Sequence, residues 1–172
     1  MNQSGVKALE VGSWEGMSTC WLLDNVLTDP SAQITCIDTF EGSDEHMIHS
    51  YHYIASVESI FDTNIEARGS GQKVKKIIGQ SKAVLPGLPT DNYDFIYIDG
   101  SHRVIDVLTD AVLCWSLLKV GGLIIFDDYG FGSPEQPETR TGIGIDAFLS
   151  AFSTHIQVLH KGWQVIVKKI RS

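Results

Sequence analysis

The sequence predicts an α/β fold: a doubly wound, mostly parallel sheet closed by a C-terminal antiparallel hairpin. Three observations carry this. Short apolar runs alternate with segments of helical periodicity, the pattern of repeated strand-helix-strand units. The run YDFIYID and the stretch LIIF are nearly continuous apolar segments, as expected of strands covered on both faces. Near the end, IQVLH and WQVIVKKI flank Lys161-Gly162, a hairpin signal. The 172 residues suit a single domain, residues 1–172, large enough for its own core.

Each element follows in order. VKALEVG is a first strand running into a turn. Met17 to Leu27 predicts a helix with Met17, Cys20, Trp21 and Leu27 on one face, stopped by Asp29-Pro30. QITCIDTF is the second strand. Met47, Tyr51, Ile54, Phe61 and Ile65 recur at helical spacing and predict one or two helices, ended by Gly69 and Gly71. KVKKIIG is the third strand, SKAVLPGL a short helix and YDFIYID the fourth strand. Val104, Val107, Leu108, Ala111, Trp115 and Leu118 form one apolar helical face. Gly121-Gly122 predicts a turn ahead of the fifth strand. YGFGSPEQPETRTGIG, rich in Gly and Pro, predicts a long loop, and IDAFLSAF the last helix.

Composition narrows the function classes. The formal charge of -8 speaks against a broad nucleic-acid-binding face. No apolar run is long enough to span a bilayer, and MNQSGVKALEVG lacks the apolar core of a signal peptide. Cys20, Cys36 and Cys114 are odd in number, lie among apolar residues and lack metal-type spacing. They read as buried free thiols in a reducing cytoplasm.

In such sheets ligands collect at the carboxyl ends of the strands. Four strands end there in acids: Glu10, Asp38, Asp99, and the pair Asp127 and Asp128. LEVGSWEGMS places Gly12, Ser13 and Gly16 between the first strand and first helix. A glycine turn there lets a ligand approach the backbone in front of a helix N-terminus. The spacing is Gly-x-x-x-Gly, not the dinucleotide fingerprint. Glu10 would repel a pyrophosphate and could hold an ammonium group; it reads equally as a solvated acid beside a tight turn. Asp38 stands where a ribose-binding acid is expected and can accept two hydrogen bonds from a diol; a helix cap is its plainer role. Gln80 and Ser81 could border a purine or cap the next helix.

Taken in order, LEVGSWEG, IDTFEG and YDFIYIDGSH…LLKVGGLIIFDDYGF resemble the class I S-adenosylmethionine-dependent methyltransferases. Within them they resemble the metal-dependent small-molecule O-methyltransferases of the macrolide-sugar type and, more distantly, catechol O-methyltransferases. The match runs from Ala8 to Tyr129. The resemblance implies a Rossmann-like fold with S-adenosyl-L-methionine as cofactor. Glu10, Gly12 and Gly16 would border its methionine part, Asp38 would hold its ribose hydroxyls, and Ser81, with Gln80 nearby, would border its adenine; Ser13, Thr39 and Asp99 would also belong to the cofactor site. It also implies a divalent metal, commonly magnesium, on Asp99, Asp127 and Asp128. His102 would be the general base, with Asp99 beside it in the catalytic group. Asp128 stands where catechol enzymes carry Asn, and their Lys near His102 is missing; both differences favour the sugar-type branch. Related enzymes carry helices ahead of the first strand that help cover the active site. Here that strand comes almost at once, which leaves open what closes the site.

The metal reading has physical support. One helix joins the fourth and fifth strands, so a right-handed crossover sets them side by side, about 4.8 Å apart. Asp99 and Asp127 then converge although 28 positions separate them. Three crowded carboxylates repel, and one would take up a proton. A hard divalent cation removes the conflict, and all-oxygen ligation suits Mg²⁺, Ca²⁺ or Mn²⁺ better than Zn²⁺. A metal holding two acceptor oxygens orients one and lowers its pKa; His102 can take the proton. The expected acceptor is a small hydroxylated molecule such as a sugar or polyphenol, with no nucleic-acid or membrane partner. A nucleotide-sugar transferase and a non-catalytic cofactor-binding or assembly module stay open, as does a homo-oligomer. His46, His49 and His52, three apart, read as a helix face rather than a metal site. Trp14, Tyr129 and Phe131 read as pocket wall or as packing. Neighbours in a strand point to opposite faces, so Asp127 and Asp128 can share an ion only if the strand breaks between or just after them.

Overall fold

A computed structural model describes residues 5–42 and 51–172. Among these residues, seven strands form one sheet: β1 (Lys7–Val11), β2 (Gln33–Asp38), β3 (Val74–Ile78), β4 (Tyr93–Ile98), β5 (Leu118–Phe126), β6 (Ile156–Lys161) and β7 (Val165–Lys169). Their spatial order is β3-β2-β1-β4-β5-β7-β6. The first five run parallel, and β7 is antiparallel to both of its neighbours. The helices are α1 (Met17–Asn25), α2 (Tyr51–Ile54), α3 (Val57–Glu66), α4 (Ser81–Val84), α5 (Val104–Leu117) and α6 (Thr141–Ala151). This is the doubly wound sheet with a closing hairpin that the sequence predicts. Among the described residues, no helix is long and apolar enough to cross a membrane.

Strand alternation divides the core in two. Leu9, Val11, Ile96, Ile98, Ile124 and Phe126 face one side and pack with residues of α5 and α6. Ala8, Ile34, Cys36 and Phe95 face the other and pack with residues of α1 and α3. Each fully buried Leu, Ile or Phe contributes on the order of 1.5–3 kcal/mol relative to exposure. Cys20, Cys36 and Cys114 are buried free thiols. Of the histidine triple, only His52 lies among the described residues; it is exposed on α2, while His46, His49 and Met47 fall outside them.

Three local expectations need correction. Met17 and Trp21 are 74% and 60% exposed, whereas α1 buries Thr19, Cys20, Leu22 and Leu23. A four-residue spacing marks a helix face but does not say which face meets the sheet. Gly121-Gly122 is not a turn ahead of β5. The strand begins at Leu118, and pairing jumps from Tyr93 with Leu118 to Phe95 with Leu123, a bulge through the glycines. A Cβ at Gly122 would sit 2.8 Å from the Asp94 carbonyl oxygen, so glycine lets the bulge close on β4. Finally, α6 begins at Thr141, inside the predicted loop. Its glycines are close-packing positions: a Cβ at Gly142 would lie 2.7 Å from the Tyr129 carbonyl oxygen and one at Gly144 2.6 Å from that of Val104.

Gly144→Ala should therefore push α6 off α5 and cost about 1–3 kcal/mol in urea denaturation. Gly71→Ala, where nothing lies within 4 Å of the added methyl, should leave the midpoint nearly unchanged.

Candidate active site at the carboxyl edge of the sheet

Register brings the strand ends together. Ile37 pairs with Val11, Val11 with Ile98, and Ile98 with Phe126. The next residues, Asp38, Gly12, Asp99 and Asp127, therefore form one row across four strands. Backbone hydrogen bonds carry the ladder into that row: Gly12 N–H to the Ile37 carbonyl at 2.9 Å, Asp99 N–H to Val11 at 2.8 Å, and Asp127 N–H to Ile98 at 3.0 Å. The row crosses the reversal of strand order between β1 and β4, where open α/β sheets form their crevice.

Gly12 makes the row compact. Its φ is +83°, and a Cβ there would lie 2.0 Å from the Asp99 carbonyl oxygen. The glycine thus admits the neighbouring strand end as well as bordering the cleft. Trp14 is also left-handed, with φ of 46°, a strained conformation for a bulky residue. Asp38 holds the turn in place. Its Oδ2 accepts the Ser13 N–H at 2.6 Å and the Trp14 N–H at 2.8 Å, and its Oδ1 accepts the Phe40 N–H at 2.7 Å. A carboxylate offers about four lone-pair sites, so Asp38 keeps roughly one for a ligand hydroxyl instead of a pair for a diol.

A cleft of about 740 Å³ opens over the row, within the roughly 300–1,000 Å³ of small-molecule sites. Gly12, Ser13, Asp38, Gln80, Ser81 and Asp99 line it, as does Thr39. Glu10 and Gly16 are absent from its wall. Glu10 is fully buried; its Oε2 accepts the Ser13 hydroxyl at 2.7 Å and the Thr19 hydroxyl. Burial pushes its carboxyl above the usual range. It braces the turn from beneath, and its Oε1 has no hydrogen-bond partner among the described residues. Gly16 caps α1 with φ of +81° and packs on the Phe61 ring.

Beyond Asp99 lies a cluster of acids. β5 ends at Phe126, and Asp128 takes a left-handed φ of 55°, the break that two neighbouring carboxylates need to face one centre. Single oxygen or nitrogen atoms of Asp99, His102 and Asp128 lie within 4.8 Å of one another. His102 Nε2 is 2.9 Å from Asp128 Oδ2, and this contact holds Asp128 below the usual carboxylate range. Asp127 stands outside that trio. Its Oδ2 accepts the Tyr97 phenol and Gln164 Nε2, the latter at 3.0 Å. Even so, Asp127 is the largest charge acting on Asp99. Burial first, then Asp127 and Asp128, push Asp99 up to about 8. The Tyr97 phenol is pushed up by burial and by Asp127. This chemistry fits a divalent cation: hard oxygen donors carry excess negative charge at one point.

Some site residues escaped sequence reasoning. Trp163 and Gln164, in the β6–β7 turn, both reach the acids. An antiparallel strand beside β5 delivers its preceding turn to this edge, which is the signal the hairpin offered. Asp110 lies buried in the apolar face of α5 and lines the cleft. Burial pushes it up to about 6, while a hydrogen bond with the Ser81 side chain pulls it down. An acid among Val107, Ala111 and Cys114 was its signal. Of the three candidate pocket aromatics, Trp14 lines the cleft and meets the Tyr53 ring edge-on at 6.3 Å. The Phe131 ring lies against His102, tilted by 32° with centroids 4.1 Å apart, and the Tyr129 hydroxyl donates to Asp146 at 3.0 Å.

Known proteins share the family and the fold. A family model described as "Methyltransferase domain" matches residues 9–129. The O-methyltransferase hkm8 of Aspergillus hancockii is 26% identical over 122 residues, covering 71% of this chain but only 42% of that protein. The O-methyltransferase TomG of Streptomyces achromogenes, solved with S-adenosylmethionine, superposes with a TM-score of 0.72 at 16% identity, covering 96% of this chain and 73% of that one. An O-methyltransferase from Bacillus cereus, solved with S-adenosylhomocysteine, gives 0.66 at 20% identity, covering 95% and 74%.

The raised Asp99 carboxyl sets a pH dependence. Folded Asp99 keeps its proton up to about pH 8, whereas unfolded it releases it near 3.8. Between those values the unfolded chain binds fewer protons, so stability falls as pH rises. Without divalent cations, Asp99→Asn should melt higher than the parent at pH 8 and match it near pH 4, by calorimetry.

Proposed function

The chain belongs to the methyltransferase-domain family, and on that premise we propose that it transfers a methyl group from S-adenosyl-L-methionine to a hydroxyl of a small molecule, assisted by a divalent cation. The observation that carries the reading is the position of Asp99. It lines the cleft and also belongs to the acid cluster, so a cofactor in the cleft and an acceptor at the cluster would meet across it.

When bound, the cofactor supplies an electrophilic sulfonium methyl, and the cation, probed as Mg²⁺, lowers the pKa of a neighbouring hydroxyl. The chain's residues do the rest. Asp38 offers its remaining Oδ1 lone pair to a ribose hydroxyl. Ser13 and Gly12 shape the wall beside the methionine part, and Thr39, Gln80 and Ser81 border the nucleoside. Glu10 acts through Ser13 and Thr19 and not on the ligand. Asp99, Asp127 and Asp128 would be the oxygen donors for the cation, and His102 would take the acceptor's proton on its imidazole. Asp128 orients that imidazole from 2.9 Å, and Phe131 supports its ring. Holding both reactants in line does much of the work.

The charge of -8 supports a small acceptor rather than a polyanionic nucleic acid. A sugar or polyphenol with neighbouring hydroxyls would give a cation two oxygens to hold. Against a nucleotide-sugar transferase stands the acid Asp38 on the cleft wall, which would repel a diphosphate lacking its own cation.

Titration calorimetry of the intact protein with S-adenosylhomocysteine should show binding; none, with or without Mg²⁺, would sink the proposal. His102→Ala should lower kcat about 10²–10⁴-fold while leaving S-adenosylhomocysteine affinity intact. Asp127→Ala should abolish dependence on Mg²⁺ in the same assay.

A further inference from the structure

We infer that the turn between β6 and β7 belongs to the cation site: Trp163 and Gln164 are positioning residues that hold Asp128 and Asp127 as ligands. The inference rests on the cation reading above. Register sets the arrangement. Phe126 pairs with Val165 across the antiparallel β5–β7 ladder, so Gln164 comes opposite Asp127 and Trp163 reaches Asp128. Trp163 Nε1–H donates to Asp128 Oδ1 at 2.8 Å, and Gln164 Nε2 donates to Asp127 Oδ2 at 3.0 Å.

The two donors meet different needs. An indole N–H donates only, so it cannot compete as a ligand. It pins Asp128 Oδ1 and leaves Oδ2 on the side of His102 and Asp99. Gln164 joins the Tyr97 phenol on Asp127 Oδ2. Among the described residues, Asp127 Oδ1 then accepts only the Asp128 N–H, at 2.8 Å, with a further lone pair to give. Fixing a carboxylate's rotamer and directing its free lone pairs is what partners behind metal ligands do, and losing one costs about 10–100-fold in affinity.

The turn is itself anchored. A Cβ at Gly130 would lie 2.7 Å from the Trp163 ring, so glycine lets the indole lie against the chain just past the acids. The Tyr129 N–H donates to the Trp163 carbonyl at 2.8 Å. Lys161 pairs with Asp146 at 2.9 Å and lies over the Tyr129 ring. The donors therefore approach the acids from a clamped backbone.

Mn²⁺ binding to the intact protein, followed by electron paramagnetic resonance without cofactor or acceptor, tests this. Trp163→Phe keeps a ring over Gly130 and removes the N–H. Gln164→Met keeps length and removes the amide. Each should weaken Mn²⁺ about 10–100-fold while the metal-free melting temperature stays near the parent's. Lys161→Ala loosens the hairpin but keeps both donors, and should bind Mn²⁺ like the parent. Parental affinity in both donor variants overturns the inference, as does an equal loss in Lys161→Ala. A parent that binds no Mn²⁺ overturns the cation reading itself.

Discussion

The hydrogen bond from the Asp127 N–H to the Ile98 carbonyl extends the β4–β5 ladder one residue beyond the strand. That single extra rung sets Asp127 beside Asp99, and the rest of the edge answers to the resulting repulsion. Two carboxylates are held close by backbone geometry, and a third arrives when the chain turns left-handed at Asp128. Rotation of one side chain does not undo such crowding, because the backbone dictates it. Asp99 responds by keeping its proton, Asp128 by pairing with His102, and Asp127 by taking donors from Tyr97 and Gln164. Three acids of one residue type thus occupy three electrostatic states within a few ångströms, as buried like charges must.

The same row explains why cleft and cluster meet at Asp99. Gly12 sits between Asp38 and Asp99, and its lack of a side chain lets the β1 and β4 ends close on one another. The left-handed turn after Gly12 is braced twice: by Asp38 from the cleft side and by Glu10 from within. Two acids that look alike in sequence therefore have different duties. Parity puts both on the side that packs with α1, and position along the strand separates them: Glu10 lies inside β1, whereas Asp38 lies at the very end of β2.

Much of this was legible in the sequence. The apolar runs located the strands, and acids ending them located the edge. The demand that the chain break near Asp127 and Asp128 is met by the left-handed Asp128. What was not legible depended on contacts distant in sequence. Gln164 lies 37 positions from Asp127, and nothing local marks it as a partner. Gly142 and Gly144 looked like loop residues because glycine signals both a bend and a close approach, and only the neighbouring chain decides which. Met17 and Trp21 shared a helical spacing with Cys20 and Leu27, yet the sheet lies on the other side of them.

The placement of β7 between β5 and β6 bears on synthesis. β7 follows every other described strand in the chain, yet it fills an interior position in the sheet. Until it leaves the ribosome, β5 presents an open edge with Ile124 and Phe126 beside it, a template for wrong pairing. During that interval the acids at its end also lack the amide and indole donors. The nascent chain thus carries its crowded charges and its unpaired strand together, and one late strand resolves both.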